Sequence, residues 1–420
     1  MAVIKAFKGI RPSVNLASKI AALPYDVYNR EEAVQEVAKE PLSFLKIDRA
    51  ETQFANDVGT YDPRVYAKAS ETLSEMIADG SFRQDDEACY YLYELTMNGK
   101  SQTGIVAVAS IDDYDNNIIK KHENTRLEKE QDRINHVDAL DAQTGPIFLA
   151  YHENTILKDI IKATKEQSVE YDFTSEDGIR HRVWTIAEAT TCEQIAKAFA
   201  GINNIYIADG HHRCASAVKV GKKRRANNPD FTGEEDFNFF LSVLFQDSEL
   251  CILDYNRAVK DLNGLAVEEF IEKVSERFEI AGAISNDGGA RVQDEAVSPK
   301  HKGQFGMYID GKWYCLEIKD EYINNDPVKG LDVSLLQDNL LQPILAIEDP
   351  KVDDRIDFIG GIRGLEELER RVDTDCKVAF SMYPTSIGEL FDVANADKLM
   401  PPKSTWFEPK LRSGLFIHQI

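Results

Sequence analysis

At 420 residues the chain exceeds the roughly 100 to 200 residues of an ordinary domain, so two or three domains are expected. A 43% hydrophobic and 9% aromatic content excludes wholesale disorder, and 72 acidic against 49 basic residues leave a net charge of −23 that repels a phosphate backbone. Nucleic acid is therefore not an expected partner, and neither is a membrane: no run nears the roughly 18 apolar residues of a spanning helix, and MAVIKAFKGIRP lacks the apolar core of a signal peptide. A cytoplasmic protein is expected. The six cysteines, Cys89, Cys192, Cys214, Cys251, Cys315 and Cys376, form no C-x-x-C pair and read as scattered small core residues.

In chain order, Leu23 to Val27 predicts an extended piece ending in a turn, because Pro24 keeps Leu23 out of the helical region and Asp26 can bond the backbone that follows. A helix starts near Arg30. Val65, Ala69, Leu73, Met76 and Ile77 mark another, running to Ala78 before Gly80 stops it. Tyr90 to Met97 and Thr103 to Ile111 are strand-like runs about Asn98-Gly99, a strong hairpin signal. The charged stretch KHENTRLEKEQDRINHVDAL either reaches into a cleft or forms a solvated helix, and it leads into TGPIFLAY, the pattern of a buried strand. Ile205 to Ala208 predicts a strand, Asp209-Gly210 a turn and His211 to Arg225 a helix, with further strands at Phe237 to Phe245 and Leu250 to Leu253.

Val267 to Phe278 has amphipathic helical spacing, and Gln304 to Lys319 is a hairpin pattern around Asp310-Gly311. Residues 281 to 303 lack periodicity and predict a surface loop. The final part predicts helices at Val333 to Leu345 and Leu365 to Val372 and strands at Ile356 to Ile359 and Val378 to Met382. The expected organisation is an α/β (α+β) domain at 1–265, a small α/β module at 266–330 and a C-terminal α/β segment at 331–420 that returns to the site.

Familiar signatures are missing: there is no Walker loop, no G-x-G-x-x-G after a strand, no G-x-S-x-G and no H-E-x-x-H. The densest chemistry is Asp209-Gly210-His211-His212-Arg213. Gly210 permits a tight turn, and the helix that follows offers free N–H groups and a positive dipole end to an anion. Arg213 adds bidentate donors, His211 and His212 can exchange protons near neutral pH, and Asp209 can hold Mg²⁺ or accept a hydroxyl proton. The bland alternative makes Asp209 a helix cap and the histidines surface polar groups. A second cluster, Lys121, His122, Glu123, Thr125 and Arg126 followed by Arg133, mixes cations, a hydroxyl and a carboxylate in a way that suits a nucleotide with its metal. A third, MPPKSTWFEPK, presents Lys403, Ser404 and Thr405 between rigid prolines and an aromatic pair. The lone His136, His152, His181, His301 and His418 read as structural.

In combination, ALPYDV, HENTRLEKEQDR with GPIFLAY, IADGHHR and MPPKSTWFEPK resemble, in this order, the domain-of-unknown-function 1015 family across nearly the whole chain. The Asp-Gly-His-His-Arg turn also resembles a motif of the ParB/sulfiredoxin superfamily, some members of which are free serine kinases. That resemblance implies a strand-turn-helix that binds nucleotide phosphates. It would make Asp209 the base or metal partner, His211 and His212 the phosphate-side imidazoles, and Arg213 the phosphate clamp. Cys214 stands where many relatives carry an aromatic residue. The expectation is a phosphotransferase that uses Mg²⁺ and ATP, or ADP or CTP, on a small hydroxyl metabolite, with free L-serine as a candidate. Asp209, His211 and His212 would be catalytic. Gly210, Arg213, Lys121, His122, Thr125, Arg126, Arg133, Lys403, Ser404 and Thr405 would bind nucleotide, Tyr25 and Asp26 would face substrate, and Glu123 and Asp209 would hold metal. The alternatives are a nucleotide-gated regulatory protein and a metal-dependent phosphohydrolase. The oligomeric state is left open.

Overall fold

The computed structural model describes residues 1–285 and 297–420. The chain forms two compact units, one of residues 1–250 with 409–420 and one of residues 251–408. The expected boundaries at 265 and 330 do not coincide with this division, because strands from 266–330 and from 331–408 hydrogen-bond within one sheet.

Unit one is built on a nine-stranded mixed sheet. From one edge its strands are Ile119–Lys120, Ile205–Asp209, Ile147–Tyr151, Phe239–Gln246, Lys100–Ser110, Tyr90–Met97, Arg180–Ile186 and Tyr171–Thr174, with Ile4–Lys5 pairing separately against Lys100–Ser110. The hairpin forms where Asn98-Gly99 directs it. Both residues take positive φ, 51° and 78°, the handedness that matches the twist of the flanking strands. Phe239–Gln246 is buried along its whole length, as its unbroken FFLSVLF pattern requires of a central strand. One apolar cluster joins Leu92, Ile105, Leu149, Ile207, Cys214, Val218 and Phe240 across a face of the sheet. A second cluster sits among the helices Leu45–Asp48 and Pro63–Ala78 and receives Ile417 from the C-terminal segment.

The charged stretch divides into a loop and a packed helix. Residues 121–126 are loop, and Leu127–Leu140 is a helix packed against Pro63–Ala78 and His211–Asn227. It is not a solvated helix, since it buries Glu130, Asp132, Arg133 and His136.

Unit two has a six-stranded sheet in the order Phe278–Ser285, Lys312–Ile318, Gln304–Ile309, Val378–Met382, Tyr255–Val259 and Ile356–Gly360. Asp310-Gly311 makes the expected hairpin turn, again with two positive φ values. The regular helix expected at Val333 to Leu345 is instead a short α-helix, Asp332–Leu336, running into a π-helical turn, Gln337–Leu341. Of the loop expected at 281–303, residues 281–285 are strand and 286–296 lie outside the described residues. The six cysteines are all free. Among the described residues no helix is long and apolar enough to cross a membrane.

Candidate functional site

The strand Ile205–Asp209 carries a register irregularity between Ile207 and Asp209, with Asp209 still paired with Phe148 at its end. Gly210 follows with φ 91° and ψ 31°, and His211–Asn227 begins at once as a helix of 17 residues. No side chain caps this helix, so Asp209 is not its cap, and the N–H groups of its first turn receive no acceptor from a capping side chain. A side chain at position 210 would bring a Cβ to 3.1 Å from the Arg213 guanidinium, which explains glycine there besides the positive φ.

Asp209 is 39% exposed, with Lys410 Nζ at 3.4 Å and Arg213 at 3.9 Å from its Oδ2. Burial opposes its ionisation, but Lys410, Arg213 and His211 outweigh that and hold the carboxyl down at about 2. Arg213 also donates to the Pro146 carbonyl at 2.6 Å. Gly145 lies under it, where a Cβ would approach Ser413 Oγ to 3.2 Å and Arg213 Nη1 to 3.3 Å.

The loop 121–126 brings a second set of groups to the turn. The rings of His122 and His211 meet edge to face with centroids 4.5 Å apart, and the two residues are only 3% and 6% exposed. His122 bonds the Ile207 backbone, while its Nδ1 and the Nε2 of His211 are buried with no hydrogen-bond partner. Orphaned buried nitrogens are uncommon and call for an explanation, which a ligand would supply. His211 Nδ1 stands 3.8 Å from the Glu123 carboxylate. His212 accepts the Arg126 backbone N–H on Nε2 at 3.0 Å. Burial pushes His122 down to about 4, His211 well below its usual range and His212 lower as well. The imidazoles are thus neutral at pH 7, contrary to the expectation that His211 and His212 exchange protons near neutrality, because the sheet and helix exclude the water that would stabilise the imidazolium. Thr125 donates to Glu130 at 2.7 Å, and Glu130 also pairs with Lys219. Lys121 lies over the Tyr114 ring, 5.6 Å from its centre.

Tyr25 and Arg133 connect the turn to a cavity. The Arg133 guanidinium sits 4.0 Å from the Tyr25 ring centre and is paired with Asp132, which also accepts from Tyr66 at 2.9 Å. Tyr25 and Arg133 line a narrow space together with Gly145 and Arg213, and on their other side a cavity of about 240 Å³ with Asp26, Asp48, Arg49, Glu51 and Tyr61. Burial raises the Tyr25 hydroxyl to about 12, so it is a neutral donor.

Of the expected site residues, the first unit pairs Asp209 with Arg213, His211 with His122 and Glu123, and His212 with Arg126, while Arg213 shares the lining of the narrow space with Tyr25 and Arg133. Lys403, Ser404 and Thr405 belong to the second unit, where Lys403 covers Tyr255 and the Ser404 hydroxyl donates to the Pro401 carbonyl at 2.7 Å. Lys410, at the end of MPPKSTWFEPK, is the site residue that the sequence does not reveal, since nothing local links it to Asp209, 201 positions away. Gly145 and Pro146 were legible as part of TGPIFLAY but not as neighbours of Arg213. Among the described residues no three His, Cys, Asp or Glu side chains form a metal cage.

The family model described as "Protein of unknown function (DUF1015)" matches residues 4–334. The chain belongs to the DUF1015 family. No curated protein matches it. Among solved structures, a free serine kinase in complex with AMP is similar at 14% identity and TM-score 0.34, over 74% of this chain and 91% of that one. A conserved hypothetical protein from Pyrococcus furiosus is similar at 15% identity and TM-score 0.33, over 74% and 94%. C-terminally truncated SbnI from Staphylococcus aureus is similar at 9% identity and TM-score 0.36, over 73% and 85%. At these scores the chemistry of the DUF1015 chain rests on its own side chains.

Proposed function

We propose that this DUF1015 chain is a phosphotransferase that moves a phosphoryl group from a nucleotide to a small hydroxyl metabolite. The observation that carries the reading is the uncapped helix N-terminus after Gly210, flanked by Arg213, by ionised Asp209 and by the orphaned nitrogens of His122 and His211. Donors so arranged at a partly buried turn suit terminal phosphates, whose charge changes position rather than vanishing during transfer. Arg213 binds phosphate. Each neutral imidazole has one ring nitrogen without a partner: with His122 already donating to the Ile207 backbone, its Nδ1 accepts from a hydroxyl, and His211 Nε2 offers a hydrogen bond to the ligand. Lys121 and Arg126, both exposed on the loop, extend the positive field toward the nucleotide.

The acceptor would occupy the cavity beyond Tyr25 and Arg133. Its wall carries both signs of charge, the pairs Arg49–Glu51 and Arg133–Asp132 together with Asp26, Asp48 and Lys129, which favours a zwitterion such as free L-serine over a purely apolar alcohol. Asp209, held near 2, is a weak Brønsted base. A loose transition state asks little proton abstraction of it, so its role is to orient the hydroxyl or to bind Mg²⁺. If Mg²⁺ takes part, Asp209 and Glu123 would be the carboxylates to hold it, and it would offset charge on the phosphate oxygens. In the transfer the acceptor oxygen forms a bond to phosphorus, the bond from phosphorus to the nucleotide oxygen breaks, and the hydroxyl proton leaves to solvent.

Incubation with ATP, ADP or CTP, Mg²⁺, L-serine and a pool of hydroxyl metabolites, read by mass spectrometry, tests this. A phosphorylated metabolite is the expected product. Inorganic phosphate alone would favour the hydrolase, and unchanged nucleotide that nonetheless binds would favour the regulatory protein.

A further inference from the structure

Arg257 lies on the strand Tyr255–Val259 of unit two with 3% of its surface exposed. Its guanidinium donates to the backbone carbonyls of Tyr255 and Lys403, the latter at 3.0 Å, and sits 5.1 Å from the centre of the Phe358 ring. Among the described residues it has no acidic partner. Burial lowers its pKa to about 10, so it remains a cation at neutral pH. A buried charge without a counter-ion is costly, and an anion brought beside it offsets that cost.

Arg257 forms part of the wall of a cavity of about 270 Å³ whose other lining is largely apolar, with Val328, Val333, Leu341 and Phe358. Gln337 also lines it. The Gln337 Nε2 donates to the Ile347 carbonyl at 2.7 Å, whereas its Oε1 is buried with no partner. Gln337 opens the π-helical turn Gln337–Leu341, and wide turns of this kind recur at functional sites. Asp338, the acid on this wall, is exposed and makes no ion pair with Arg257, and exposed Lys329 adds a second cation.

We propose that this cavity binds a small organic carboxylate with an apolar body and one hydrogen-bond donor. The carboxylate pairs with Arg257, the body covers Val333, Leu341 and Phe358, and the donor satisfies Gln337 Oε1. A volume of about 270 Å³ is at the small end of ligand pockets and suits a metabolite rather than a peptide. Inorganic phosphate would answer Arg257 but leave the apolar wall uncovered. These wall residues are not those assigned to phosphoryl transfer, so the two readings stand or fall separately.

Calorimetric titration of the full chain, without nucleotide, decides the matter with four probes: 4-hydroxyphenylacetate, phenylacetate, the neutral 2-(4-hydroxyphenyl)ethanol and inorganic phosphate. The first should bind, phenylacetate more weakly, and the alcohol about tenfold or more weaker still than the first for want of the charge-assisted pair. Arg257→Met should cost 4-hydroxyphenylacetate about tenfold or more, and Val333→Trp, which fills the cavity and keeps Arg257, should abolish its binding. The ligand series on the unmodified chain decides even where a variant folds poorly. Failure of both carboxylates to bind, equal affinity for the alcohol, unchanged affinity in a folded Arg257→Met chain, or tighter binding of phosphate would each overturn the proposal.

Discussion

Arg213 and Asp209 divide the work of the turn between binding and transfer. Arg213 contacts phosphate before and during the reaction alike, so Arg213→Ala should weaken nucleotide binding by about 2 kcal/mol with a smaller effect on the bound-state rate. Its bond to Pro146 anchors the neighbouring strand start, so some loss of stability, about 1 kcal/mol, should accompany the change. Asp209→Asn should leave nucleotide affinity nearly intact and lower single-turnover transfer by about 10²-fold. Calorimetry and single-turnover assays on both variants check this pair, and wild-type transfer by Asp209→Asn would remove the role given to that carboxylate. At this scale the sequence showed which side chains could do chemistry but not what faced them. The stacking of Arg133 on Tyr25 and the pairing of Lys410 with Asp209 join positions more than a hundred residues apart, and no local pattern encodes them. The neutrality of His122 and His211 was hidden for the same reason, because it comes from burial between elements rather than from neighbours in sequence.

Among the elements, the strand-turn-helix from Ile205 to Asn227 was the most legible, because an apolar run, a glycine and a helix start each carry a local physical signal. Both hairpins were legible too, since Asn98-Gly99 and Asp310-Gly311 select their turn by backbone conformation alone. Local periodicity misled at Gln337–Leu341, where the apolar spacing suits an α-helix and the chain takes a wider turn. The Gly210 turn makes an element-level prediction. Gly210→Ala would place a Cβ at positive φ and 3.1 Å from Arg213, so it should destabilise unit one by roughly 1 to 3 kcal/mol and displace the guanidinium. Thermal melts should show the first effect, and nucleotide affinity should fall along with it. An Ala variant that melts and binds like the parent would mean that the turn does not need its left-handed residue.

For the molecule as a whole, buried neutral histidines tie stability to pH. His122 and His136 are each pushed down to about 4 and His181 to about 3, all chiefly by burial, from an ordinary value of 6.5. Below pH 6.5 the unfolded chain takes up protons at these positions while the folded chain does not, so their contribution is complete above 6.5 and is lost as pH falls toward 4. The melting temperature should therefore drop between pH 6.5 and 4.5, by about 5 °C or more, before most carboxylates titrate. In a chain carrying His122→Gln the drop should be smaller. A flat melting temperature over this window would contradict the buried, neutral state of these rings.

The most direct test of the phosphoryl-transfer reading is a ³¹P NMR time course of the unmodified chain with ATP, Mg²⁺ and L-serine. The account predicts a phosphomonoester resonance of the acceptor that grows in step with ADP, is slowed by Asp209→Asn and appears without a matching rise in inorganic phosphate. If L-serine is not the acceptor, the same resonance should appear once the hydroxyl-metabolite pool is added. ATP that stays intact in every mixture, or that yields inorganic phosphate alone, would contradict the account.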